Sequence, residues 1–220
     1  MRLHAAAAAV SFLSASAVQA APIYLNVDAG ITVSVGSGSI GGFVNVSEAQ
    51  SLANVIDLDA ATDPDFHNQS SHVWWSGGPL ELIFDFHDEY NLTSLHFWNY
   101  FTEAFDVDNI GLNFFDSLAA NMGSLNVVPA LGGPGTPNEM IVPQTIGLAA
   151  QNVRFVSAVL TATNSQIDFN NLGFTGELSS PGPGPDPAPG PGNGPTPVPE
   201  PSALGLLSVG LLVLVRRCVK

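Results

Sequence analysis

Thiol and amine chemistry are almost absent from this chain. Its one cysteine is Cys218 and its one lysine is Lys220, both at the far end. No intrachain disulfide can form, so the fold must be held by its core. Cysteine catalysis, cysteine metal ligation and Schiff-base chemistry are excluded upstream of that end. No G-x-S-x-G occurs, and the histidines at 67, 72, 87 and 96 do not have H-E-x-x-H spacing. Positive charge is equally scarce. The chain holds 19 acidic and 5 basic residues, and four of the basic ones (Arg2, Arg216, Arg217, Lys220) lie near the termini. Only Arg154 remains in the body of the chain. Such a surface repels phosphate backbones, which excludes nucleic acid as a partner. It suits solubility outside the cell, cations and neutral ligands. So many acids make chance carboxylate pairs inevitable, so a glycosidase reading has nothing to rest on. The expectation is a protein that is not an enzyme.

Address segments occupy both ends. Arg2 and His4 precede the apolar stretch Ala5 to Leu13, and Val18 and Ala20 are small residues before a plausible cut. This predicts a signal peptide over residues 1–20, removed by signal peptidase after Ala20. At the other end, Pro199, Glu200 and Pro201 are followed by an uncharged run from Ala203 to Val215 and then by Arg216, Arg217 and Lys220. At about 1.5 Å per residue this run spans roughly 20 Å, short of a hydrocarbon core of about 30 Å. The basic end should stay on the cytoplasmic side. Before it, residues 181–198 are a linker in which proline falls at alternate positions from Pro181 to Pro191. That composition is extended and semi-stiff and cannot pack a core.

The tripartite tail over residues 199–220 resembles a PEP-CTERM sorting signal. The resemblance implies processing by an exosortase in an exopolysaccharide-making bacterium, with Pro199, Glu200 and Pro201 at the processed site. The membrane would hold the chain only transiently, and the protein would end at the cell surface or outside the cell.

The head, residues 21–180, reads as all-β. Leu80, Leu82, Phe84 and Phe86 alternate with Glu81, Ile83 and Asp85, and Leu95, Ile110, Leu112, Phe114 and Val153 continue the period of two in other short runs. Ile23–Val27, Ile31–Val35 and Phe43–Val46 are further candidate strands. His87-Asp88-Glu89 reads as a solvated turn between strands. One short helix is predicted near Ser47 to Val55, because Ser47 and Gln50 have capping-box spacing before a helical apolar pattern. Many strands, one helix and no βαβ alternation predict an antiparallel jelly-roll β-sandwich.

Several pieces of the head are similar to discoidin, or coagulation factor type C, domains of the galactose-binding-like group. They are the turn from Ala53 to Thr62, Trp75-Ser76, Leu80 to Phe86, Leu95 to Tyr100, Asn152 to Val156, and Leu172 to Gly176. The sequence departs from that pattern at Leu58, where glycine is usual, in a longer Asp63–Val73 segment, and at Asn171, where a closing glutamate is usual. The resemblance implies a structural calcium in the turn, held by Asp57, Asp59, Thr62 and Asn171; an Asx turn is the plainer alternative. It also implies a carbohydrate-binding or adhesion module associated with polysaccharide. Aromatic faces and planar polar groups for this could come from His72, Trp74, Trp98, Tyr100 and Arg154, with His67 and Asn68 nearby. Trp74 and Trp75 must face opposite sides of a strand, and the resemblance implies that Trp75, at the family's structural tryptophan, is the one in the core. The alternative is a purely structural surface or matrix protein with no ligand.

Overall fold

The computed structural model describes residues 21–135 and 140–179. The predicted signal peptide with Ala20, the linker, and the tail with Pro199, Glu200 and Pro201 lie outside the described residues. Twelve strands, one short α-helix and one 3-10 helix (Val27–Ala29) are the regular elements of the described part. The strands are β1 Ile23–Leu25, β2 Thr32–Val35, β3 Gly42–Phe43, β4 Asp65–Phe66, β5 Val73–Ser76, β6 Leu80–Asn99, β7 Asn109–Phe115, β8 Asn121–Val127, β9 Pro134–Gly135, β10 Met140–Ile141, β11 Gln144–Thr161 and β12 Gln166–Leu178. All their pairings are antiparallel.

Two long strands build a two-layer jelly-roll sandwich. The first half of β6 pairs with β2 and with the second half of β11, which continues to β7 and β8. The second half of β6 pairs with β12 and with the first half of β11, and β12 also carries β1 and β5. The layers face each other through Phe84 and Phe86, whose rings stand edge-on to Phe174 at 5.2 and 5.5 Å. The alternation read from the sequence is the core pattern. Leu80, Leu82, Phe84 and Phe86 are all at most 2% exposed.

His87-Asp88-Glu89, expected as a turn, is instead a bulge inside β6. Between Tyr90 and Asp85 this strand uses more residues than the matching step from Val153 to Phe155 on β11. His87 takes φ 64° and Asn152 takes φ 54° at the same crossing. The extra residues bend the pair sharply, which lets one continuous strand serve both layers. The helix, α1 Glu48–Asn54, has Ser47 as its N-cap, with Oγ accepting from the Gln50 amide at 3.4 Å. Only half of the capping box forms, because the Gln50 side chain reaches Ser70 O instead.

Candidate functional site

A second bulge, in β12, creates the chemistry of the head. The register against β6 shifts between Phe169 and Leu172. The two asparagines there are fully buried and serve different neighbours. Asn170 serves the segment after β4, whereas Asn171 serves the turn after α1.

On the Asn170 side the partners fix one another's protonation. Asn170 Nδ2 donates to Asp65 Oδ2 at 3.0 Å. Its Oδ1 therefore faces His67 Nδ1 at 2.7 Å, and that nitrogen must carry the proton. When His67 holds only that proton, its Nε2 is the acceptor and His72 Nδ1–H, 2.9 Å away, is the donor. This leaves His72 Nε2 as a bare lone pair, buried and without a partner among the described residues. Asp168 stands directly opposite Trp74 across the β5–β12 ladder. Its Oδ1 is 3.1 Å from His72 Nδ1, but that N–H is directed at His67, so no donor is aimed at Oδ1. The Trp74 Nε1–H is buried and unpartnered too.

These groups line a cavity of about 180 Å³ together with Tyr100 and Phe105. The walls are aromatic: His67 stacks at 4.5 Å on Tyr100, and Trp74 stands edge-on to Phe105 at 6.4 Å. Buried Asn99 shapes the loop from Tyr100 to Val107. It donates to Val107 O and Ala130 O and accepts from the amides of Tyr100 and Val107. Phe105 O also accepts from the Asp168 amide at 2.7 Å. A larger surface groove of about 430 Å³ between β8 and β11, lined by Phe114, Met122 and Leu125, has no titratable side chain.

On the Asn171 side the arrangement is different. Asn171 Nδ2 donates to Asp57 Oδ1 at 2.9 Å and to Asn54 O at 3.0 Å. Asn26 Nδ2, just after β1, donates to Leu58 O, so the turn is tied down from β12 and from the segment that follows β1. The Asp57 carboxyl is pushed up to about 6 by partial burial and then by neighbouring Asp65. The Tyr24 phenol, 3.4 Å from Asn171 Oδ1, is also pushed up, first by burial and then by Asp57. Asn171 thus presents its amide nitrogen to Asp57. Asp59 and Thr62 are exposed in the same turn.

Of the residues expected at a ligand site, His72, Trp74 and Tyr100 meet at the cavity, with His67 beside them. Trp98 and Arg154 do not reach it. Trp98 is fully buried, and its Nε1–H donates to Asp63 O at 2.8 Å. Arg154 forks onto Asp85, with Nε 3.1 Å from Oδ1 and Nη2 3.3 Å from Oδ2. Trp75 is core at 4% exposure, as its match to the discoidin pattern implies. Phe105, Asp168, Asn99 and Asn170 escaped the sequence reading. The one signal available was the polar run Asn170-Asn171 in a strand otherwise rich in phenylalanine and leucine.

Comparison with known proteins bears chiefly on the tail. The PEP-CTERM protein-sorting motif matches residues 197–220. The chain carries that sorting motif. No curated protein matches the chain. Among solved structures, the head is similar to a fucose-binding module of Streptococcus pneumoniae, at 10% identity over 62% of this chain and 93% of that one, with a TM-score of 0.42. It is similar to a serum fucolectin of striped bass (Morone saxatilis), at 16% identity over 71% of this chain and 50% of that one, with a TM-score of 0.46. It is also similar to an F5/8 type C domain of Bacteroides fragilis, at 12% identity over 71% of this chain and 98% of that one, with a TM-score of 0.41. The sandwich itself stands on the strand pairing described above.

Proposed function

We propose that this is an exported surface or matrix protein whose head binds carbohydrate in the cavity between β5, β12 and the Tyr100–Val107 loop. One observation carries the reading. The cavity offers an indole N–H donor, a carboxylate oxygen and an imidazole lone pair, all buried and without a partner among the described residues, against aromatic walls. Unpaired buried polar atoms are costly, and hydroxyls that both donate and accept would satisfy them. Aromatic faces suit the C–H side of a pyranose. The head would act as a non-catalytic binding or adhesion module for polysaccharide. The sorting motif supports export, with signal peptidase and an exosortase as processing partners and a transient stay at the inner membrane.

A glycan array probed with the purified full chain tests this reading. Some glycan should bind, and Trp74→Ala should abolish that binding while leaving the melting temperature within a few degrees. An array with no binding by the wild-type chain would favour a purely structural role without a ligand. Processing has its own test. Mass spectrometry of the exported protein should show no peptide beyond about Glu200, and recovery of the Cys218-containing terminus would refute tail removal.

A further inference from the structure

The geometry of the cavity floor points to a transition-metal site. We propose that His67 Nε2, His72 Nδ1 and one carboxylate oxygen of Asp168 hold a divalent ion such as zinc, with the fourth coordination position at the cavity. The inference shares the cavity with the carbohydrate reading, and rests on it only for what would occupy that open position.

Three observations converge. The first is spacing. Ligands at about 2.0–2.1 Å around a tetrahedral ion lie roughly 3.3–3.4 Å from one another. Here His67 Nε2 and His72 Nδ1 are 2.9 Å apart, His72 Nδ1 and Asp168 Oδ1 are 3.1 Å apart, and His67 Nε2 and Asp168 Oδ2 are 3.8 Å apart. The three ligand atoms lie within 4.8 Å of one another, with the carboxylate nearest His72 through Oδ1 and nearest His67 through Oδ2, and binding through one oxygen requires the His72 ring to turn its Nδ1 from His67 toward the ion. The second is charge. Asp168 is a carboxylate only 5% exposed. Arg154 is the only Lys or Arg among the described residues, and it is committed to Asp85. A buried carboxylate without a cation is expensive, and a metal ion would supply the missing charge. The third is support. Histidine ligands characteristically donate their other ring N–H to an oxygen acceptor, which fixes ring and tautomer. His67 does this through Nδ1 to Asn170, which is itself held by Asp65. A metal on His72 Nδ1 moves that ring's proton to Nε2, so with the ion bound the cavity offers an N–H there in place of a lone pair.

Two imidazoles and one carboxylate, without cysteine, suit zinc and its first-row neighbours better than calcium or magnesium. The two histidines lie in the Asp63–Val73 segment, and the carboxylate is on β12. An ion would therefore tie that segment to the sandwich.

The test uses the full chain in detergent, stripped with chelator and then titrated with zinc in the presence of excess calcium. One zinc per chain should bind. His67→Gln or His72→Gln should weaken binding by more than about 100-fold, and Asn170→Ala by about 10-fold. His87→Gln, at an exposed histidine, should change nothing. Because the cavity variants risk misfolding, cobalt loading of the wild-type chain provides a second readout. It should give the visible absorption of a four-coordinate site without a thiolate band. Absence of stoichiometric zinc, unchanged affinity in both cavity variants, or a thiolate band assigning the ion to Cys218 would each overturn the proposal. The carbohydrate reading fails separately: Trp74→Ala should lose glycan and keep zinc, and glycan binding in chelator would leave that reading intact.

Discussion

The two sides of the β12 bulge meet the same problem with different answers. Each collects carboxylates in a chain poor in cations, where Asp57 and Asp65 crowd one another and Asp168 is buried against two histidines. On the Asn171 side a neutral amide fills the gap by donating to Asp57 and to Asn54 O. On the Asn170 side the amide is spent on His67 and Asp65, and Asp168 keeps an oxygen with no donor aimed at it. The first arrangement is nearly complete and therefore structural. The second is incomplete, and an incomplete buried polar site is where a ligand gains most.

The largest expected effect comes from breaking the complete side. Asn171→Ala leaves Asn54 O without its donor, frees the Asp57 carboxylate and opens a cavity at a fully buried position. Chemical denaturation should show a loss of about 3 kcal/mol. A loss below about 1 kcal/mol would mean that the amide does not hold the turn to β12.

Calcium at the turn should have a smaller effect. We expect it to stabilise the fold through Asp57, but Asn171 must first turn its oxygen toward the ion and give up two hydrogen bonds. That cost raises the dissociation constant, so the gain reaches about 2.7 kcal/mol only at a hundred times this weakened constant. Thermal melts of wild type and Asp57→Asn, with and without calcium, decide the matter. If both gain equally, the effect is general screening of an acidic surface and the turn holds no site.

The smallest effect is a pH dependence of the loop that closes the incomplete side. Asp106 lies beside Phe105, and its carboxyl is pushed up to about 6 by burial and then by Asp108 and Glu103. The folded state thus holds a proton that the unfolded chain releases near pH 4. Its contribution is fully present below that pH and is lost as the pH rises through about 6. The free energy of unfolding should therefore fall over this window, by an amount on the order of 1 kcal/mol, and the melting temperature with it. Asp106→Asn should reduce that slope and leave the share of Asp57, which is also pushed up to about 6, and an unchanged slope would remove Asp106 from the account.

Legibility followed the length scale of the interaction. Ser47 capping α1 was readable because cap and amide are sequence neighbours, and the inward face of Leu80–Phe86 was readable because burial imposes period two. β8 was missed because it is an edge strand, mostly exposed, with no alternation to see. The continuity of β6 was missed because His87-Asp88-Glu89 looks polar and turn-like, yet it is a bulge between two layers. At the cavity, His72, Trp74 and Tyr100 drew attention as residue types, and Trp98 drew the same attention although its indole is consumed by Asp63 O. Asp168 looked like one more solvated acid in an acidic chain. Nothing local marks it as buried, because His72 lies about a hundred residues earlier.

By itself the sequence determined the class of the head and the sorting motif of the tail. Both are written in local patterns, alternation for strands and a tripartite order for the signal, that need no distant partner. Only the tertiary structure decided where the chemistry sits. A one-register slip in β12 sends Asn170 and Asn171 to different partners, and the ladder with β5 sets Asp168 beside His72. Such meetings depend on which strands pair and in what register, and packing across the whole sandwich sets that.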